Sequence, residues 1–169
     1  MHIMFREAHG LDGDAVAEDL RQPPAELAVL SFSDSDLAAF AAAWSAGRAG
    51  LPSLRLANLA RLRHPLSVDL YLENTLSGAK GILVRALGGV DYWRYGLHQL
   101  HDLAAARGIA LAVAPGDGRP DAALDAFSTV PPSTLRRLSH LCDMGGAHAA
   151  RAALGQLALA AGLWADPCP

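Results

Sequence analysis

Cysteine is nearly absent from this chain. Two residues in 169, Cys142 and Cys168, stand too far apart to build a disulfide framework or a Cys-rich metal site. Long apolar runs are missing too. No stretch approaches the roughly 18 uninterrupted apolar residues of a membrane span, and the opening MHIMFREAHG has no basic segment followed by a long apolar one. The expectation is a cytoplasmic protein with no membrane partner. The 14 Lys and Arg residues are scattered singly or in pairs such as Arg136-Arg137 and are outnumbered by 17 Asp and Glu. No basic stripe can follow a phosphate backbone, which excludes nucleic acid as the expected partner. Neither a G-x-x-x-x-G-K-[ST] run nor a G-x-G-x-x-G opening a helix occurs. Gly116 and Gly118 alone do not make a phosphate loop.

What is present suits a folded domain. Half the residues (51%) are apolar, 18% are charged and the formal net charge is -3, a composition that excludes disorder. A chain of this length buries roughly 70% of the surface exposed when unfolded, enough for a core without staples. The expectation is a single domain over residues 1–164, with 165–169 beginning a linker.

Five short runs read as strands: His2 to Phe5, Leu27 to Phe32, Leu54 to Ala57, Gly81 to Arg85 and Ile109 to Ala114. Most are nearly continuous in apolar residues, the mark of strands covered on both faces. Helical patterns separate them. Ser33 and Asp36 form an S-x-x-D start ahead of Leu37 to Trp44, with Gly47 as the stop. A second helix is expected from Ser67 to about Gly78, after His64-Pro65, where proline holds the preceding residue extended. A third runs from Asp91, placed as its N-cap, to Gly108, with Trp93, Leu97, Leu100 and Ala104 forming its core stripe. Past Pro131-Pro132, one or two helices broken near Gly145-Gly146 fill Ser133 to Gly162. Alternating strands and helices predict an α/β fold. The economical form is a flavodoxin-like three-layer α/β/α sandwich, with a mostly parallel five-stranded sheet and a helical C-terminal section.

In an open parallel sheet, ligands sit beyond the carboxyl ends of the strands, which selects Arg6 to Asp14, Ser31 to Asp36, Arg85 to Asp91 and Pro115 to Asp121. Arg85, Gly88, Gly89 and Asp117 are the candidates for a substrate-binding or domain-interface site. Arg85 ends a strand ahead of Gly88-Gly89, where missing side chains permit close approach. Its guanidinium suits a carboxylate or amide, or else an ion pair with Asp117, Asp121 or Glu7 across the strand ends. Asp91 at the helix start argues against a phosphate there.

Arg94, His98 and His101 share one helix flank. Two imidazoles beside a fixed positive charge fall short of the three or four ligands of a metal site, so no metal ligand is assigned. Tyr71, Tyr92, Trp93 and Tyr95 suit packing before stacking on a planar ligand. Glu7-Ala8-His9 only partly matches the D-x-H-x-x-G pattern of cobalamin-binding domains, its Gly standing one place late at Gly13.

Three segments carry a resemblance: DLRQPPAELAVLSFSDSDL, then SLRLANLARLRHPLSVDLYLENTLSGAKGILVRALGGVDYWRYG, then PGDGRPDAALDAFSTVPPSTL. Together they resemble the amino-terminal region of the CobN family, the large subunits of aerobic ATP-dependent cobaltochelatases, related to the magnesium chelatase H subunit. The resemblance implies a first domain of a longer subunit, cut near Ala165-Asp166-Pro167. It implies that the complete subunit binds hydrogenobyrinic acid a,c-diamide and receives Co(II) for cobalamin biosynthesis, while AAA+ type partners, CobS and CobT, hydrolyse ATP. No cofactor and no catalytic residue falls in this segment, whose implied role is scaffolding or cradling the substrate. The alternative is a stand-alone flavodoxin-like module that binds a small molecule or a protein without chemistry of its own. Flavin does not suit it, because REAHGLDGD is acidic where a phosphate would need free amides. Receiver-type phosphotransfer does not either, because LRLA ends without an aspartate.

Overall fold

The computed structural model describes residues 16–168. The expected strand from His2 to Phe5 and the loop after it, with Glu7 and His9, lie outside the described residues.

Strands β1 (Leu27–Ser31), β2 (Leu54–Asn58), β3 (Gly81–Ala86) and β4 (Ala110–Pro115) form one parallel sheet in the order β2-β1-β3-β4. The described sheet therefore has four strands where five were expected. The chain leaves central β1 for β2 on one side and returns to β3 on the other, which makes the β1/β3 boundary the topological switch point. Among the described residues six α-helices accompany the sheet: α1 (Asp34–Gly47), α2 (Pro65–Asn74), α3 (Arg94–Arg107), α4 (Ala122–Asp125), α5 (Pro132–Met144) and α6 (Gly146–Ala160).

Alternation along the strands splits the core into two layers. Ala28, Leu30, Ile82 and Val84 pack with Val68, Tyr71, Leu97 and Leu100 of α2 and α3. Val29, Leu83 and Ala112 turn to the other face and meet Phe40, Leu138 and Leu154 of α1, α5 and α6. Every residue of β1 and β3 is buried, as their apolar runs demand. Each fully buried Leu or Val contributes about 1.5–3 kcal/mol.

Local chemistry sets the helix ends. Ser33 is extended (φ -99°, ψ 117°), and its Oγ accepts the N–H of Asp36, capping α1. α2 starts two residues before the expected Ser67, because His64 is the cap. Its Nδ1 accepts the N–H of Leu66 at 3.1 Å, and Pro65 takes the first helical position, where no donor is needed. α2 stops at Asn74, and Leu76–Gly78 form a separate 3-10 turn. Asp91 is not the expected N-cap. It opens a 3-10 turn, Asp91–Trp93, and its carboxylate accepts from the Arg94 guanidinium instead. The stripe of Trp93, Leu97, Leu100 and Ala104 is buried as expected. The closing section is two helices, α5 and α6, hinged at Gly145 (φ 72°).

Side chains and short segments blunt both edges of the described four-stranded sheet. Beside β4, Thr129 N–H donates to the Leu111 carbonyl at 2.8 Å. Ser128 and Thr129 hydroxyls accept the N–H groups of Val113 (2.9 Å) and Leu111 (2.8 Å). Beside β2, Gln22 Nε2 donates to Leu56 and Arg55 Nε to Pro23. Near the chain's end, Asp166 N–H donates to Gly50, and Arg151 donates to the Asp166 carbonyl. Among the described residues no helix is long and apolar enough to cross a membrane.

Candidate functional site

The carboxyl ends of β1, β3 and β4 place Ser31, Arg85 and Ala114 side by side in register. Arg85 follows Leu83 in pointing to the α1/α5 face and is only 5% exposed. Its guanidinium joins three elements there. Nη1 donates to both carboxylate oxygens of Asp36, at 3.2 and 3.1 Å. Nη2 donates to Asp143 Oδ1 at 2.7 Å and to the Pro115 carbonyl at 3.3 Å. Asp36 also accepts the Ser31 hydroxyl at 2.9 Å, and Ser31 Oγ accepts the N–H of Ser33. One network thus runs from the cap of α1 through the end of β3 to α5.

The ion pairing differs from the expected one. Asp117 accepts the N–H of Arg119 at 3.0 Å, and Asp121 caps α4 through the N–H groups of Ala123 and Leu124. Both carboxylates are engaged in their own loop, so Asp36 and Asp143 hold Arg85 in their place. Beside this network the Cys142 thiol is buried, and burial pushes its pKa up to about 12. At neutral pH it is a protonated, apolar packing element.

Gly88, Gly89 and Asp117 do come together, around a depression of about 230 Å³ that Arg119 and Asp121 also line. Arg85 is not on its wall. Gly88 and Gly89 have φ of 70° and 71°, the region L side chains avoid. A Cβ on Gly88 would lie 3.0 Å from Tyr92 Cβ, whereas one on Gly89 would meet only Asp121 Oδ2, at 3.5 Å. Gly88→Val is therefore expected to destabilise the chain by about 2–3 kcal/mol and Gly89→Val by about 1–2 kcal/mol. Urea melts of the two variants check this order.

The opposite face of the switch point is filled by the chain itself. Phe32 after β1 and Tyr92 after β3 pack edge to face at 5.1 Å. The Arg63 guanidinium lies 4.8 Å from the Tyr92 ring centre and bonds the Tyr92 hydroxyl. Trp93 is buried, with its indole N–H on the Leu62 carbonyl at 2.8 Å. Buried Tyr71 donates to Gln22, and burial raises its pKa. Half-exposed Tyr95 donates to Asp69. On α3, His101 Nδ1 sits 3.0 Å from the Phe127 carbonyl oxygen, and the His98 ring stands edge-on to Phe127. Those imidazoles anchor the segment after α4. Among the described residues no three His, Cys, Asp or Glu side chains converge as a metal site.

No family model matches the chain. Two curated relatives do: the aerobic cobaltochelatase subunits CobN of a Sinorhizobium species and of Pseudomonas aeruginosa, each 42% identical over 146 residues. Over these matched residues, the chain belongs to the CobN cobaltochelatase subunit family. The match takes in 86% of the chain but only 11% and 12% of the two relatives. The chain thus spans about a tenth of their length. The same fold recurs in the catalytic subunit of cobaltochelatase from Mycobacterium tuberculosis, with a TM-score of 0.61 and 27% identity, covering 87% of this chain and 11% of that one. In this CobN-family segment, the sequence pointed to Arg85 and the glycine turn. It missed Asp143, whose signal was the polar line Arg136, Ser139, His140 and Asp143 on α5, beside the buried stripe of Leu135, Leu138 and Cys142.

Proposed function

We propose that this segment is a scaffolding or substrate-cradling part of a cobaltochelatase large subunit. That subunit inserts Co(II) into hydrogenobyrinic acid a,c-diamide in the cytoplasm, with ATP hydrolysed by the partner subunits CobS and CobT. The observation that carries the reading is the 42% identity maintained over 146 residues to two CobN subunits. The missing nucleotide loop fits this division of labour. The segment itself supplies no catalytic residue. Gly88, Gly89 and Asp117 offer the rim of a depression to the corrinoid or to neighbouring parts of the subunit. Arg85 works from inside as a positioning residue, fixing Asp143 and Asp36 at the strand ends. Metal insertion, a reaction at the macrocycle nitrogens, belongs to the remainder of the subunit.

A CobN subunit with and without this segment tests the proposal, titrated with hydrogenobyrinic acid a,c-diamide and assayed for cobalt insertion with CobS, CobT and ATP. The intact subunit is expected to bind and metallate the corrinoid, and the deleted one to lose at least about tenfold in affinity or rate, equivalent to about 1.4 kcal/mol. Equal binding and equal insertion by the deleted subunit would overturn the proposal.

A further inference from the structure

Open space at the strand ends lies beside β4. A cleft of about 700 Å³ separates one face of α5 from the connection that leaves β4 through α4. Small-molecule sites commonly measure about 300–1,000 Å³ and combine an apolar wall with a few convergent polar groups. Here the wall is Pro115, Val130 and Leu135. The polar groups come from α5, where Arg136 and His140 are four residues apart and therefore neighbours on one helix face. Among the described residues, neither side chain has an ion-pair partner.

We propose that this cleft binds an amphipathic organic anion, with its carboxylate or sulfonate head on Arg136 and His140 and its apolar body against Pro115, Val130 and Leu135. The two carboxylates of the lining set the orientation. Asp143 already shares its charge with Arg85, so it opposes an anion weakly. Asp125, on the facing wall, has no ion-pair partner among the described residues and directs the head to the α5 side. A guanidinium takes such a head through two parallel hydrogen bonds, and exclusion of water by the apolar body strengthens them. The cleft adjoins the depression at Gly88 and Gly89 and shares Pro115 with it, but its anion-binding groups, Arg136 and His140, take no part in that depression.

Anilinonaphthalene sulfonate joins an aromatic body to one anionic group and serves as the probe. It is titrated into the whole chain and followed by its fluorescence, with a thermal melt of every variant. A saturable single-site rise is expected for the unmodified chain. Arg136→Glu is expected to weaken it about tenfold or more, because the charge-assisted hydrogen bonds are lost and a like charge takes their place. Ala126→Trp, which fills the cleft from its mouth, is expected to abolish it. Arg137→Glu makes the same charge change off the cleft and should leave the affinity within about twofold, the range of screened surface charge. Asp125→Asn should tighten binding. Absence of saturable binding to the unmodified chain overturns the proposal, and so does equal affinity of the folded Arg136→Glu and Arg137→Glu variants.

Discussion

Arg85→Ala is expected to lower the stability of the chain by about 2–4 kcal/mol and its melting temperature by roughly 5–15 °C. From the sequence, an arginine at a strand end suggests a solvated pair, whose removal changes stability by about 0–1 kcal/mol. Burial reverses that expectation. Arg85 is 5% exposed and Asp36 18%, so deleting the guanidinium strands an acid that water reaches poorly. Asp143, at 37%, is resolvated more easily and contributes less. The lost side chain also leaves a cavity between β3, α1 and α5, and the Pro115 carbonyl loses its donor. Asp143→Asn, which keeps an acceptor for Nη2, is expected to cost under about half as much. Thermal melts of both variants check the order. A melting temperature for Arg85→Ala within two degrees or so of the unmodified chain would show that water already reaches the network.

Gly96→Ala is expected to destabilise, although alanine in place of glycine inside a helix ordinarily gains about 1 kcal/mol. Gly96 lies buried in the first turn of α3, where a Cβ would overlap the indole ring of Trp93. That ring cannot step aside freely. It is 3% exposed and tied to Leu62 through its N–H. Displacing it strains the packing and breaks that bond, for a net loss of about 2–4 kcal/mol. Trp93→Ala alone should cost about 3–5 kcal/mol through the cavity it opens. In the Trp93→Ala background the overlap is gone, and Gly96→Ala should then stabilise by about 1 kcal/mol. A four-member cycle in urea measures the change of sign. Stabilisation by Gly96→Ala in the unmodified chain would contradict this packing.

The layers were legible because apolar strands and the stripe from Trp93 to Ala104 report burial directly, and burial dominates this fold. Helix ends were legible only in part. Ser33 announced a cap in a familiar motif, while His64 capped α2 through a ring nitrogen and Asp91 was drawn away by Arg94. The arginine network was invisible for a different reason. Asp36, Arg85 and Asp143 stand 49 and 58 residues apart along the chain, and no local pattern encodes which carboxylate reaches which strand end. Gly88 and Gly89 were legible as a turn requiring positive φ. Their distance from the Arg85 guanidinium was not, because neighbouring residues of a strand point to opposite faces.

The proposal that this chain is a working part of a cobaltochelatase large subunit is tested by exchange. The matching segment of a CobN subunit is replaced by this chain, and cobalt insertion into hydrogenobyrinic acid a,c-diamide is measured with CobS, CobT and ATP. Insertion is expected within about tenfold of the parent subunit, a difference of about 1.4 kcal/mol or less, and is expected to be lost when Arg85→Ala is present above that variant's melting temperature. A folded exchanged subunit with no cobalt insertion at any temperature would overturn that proposal.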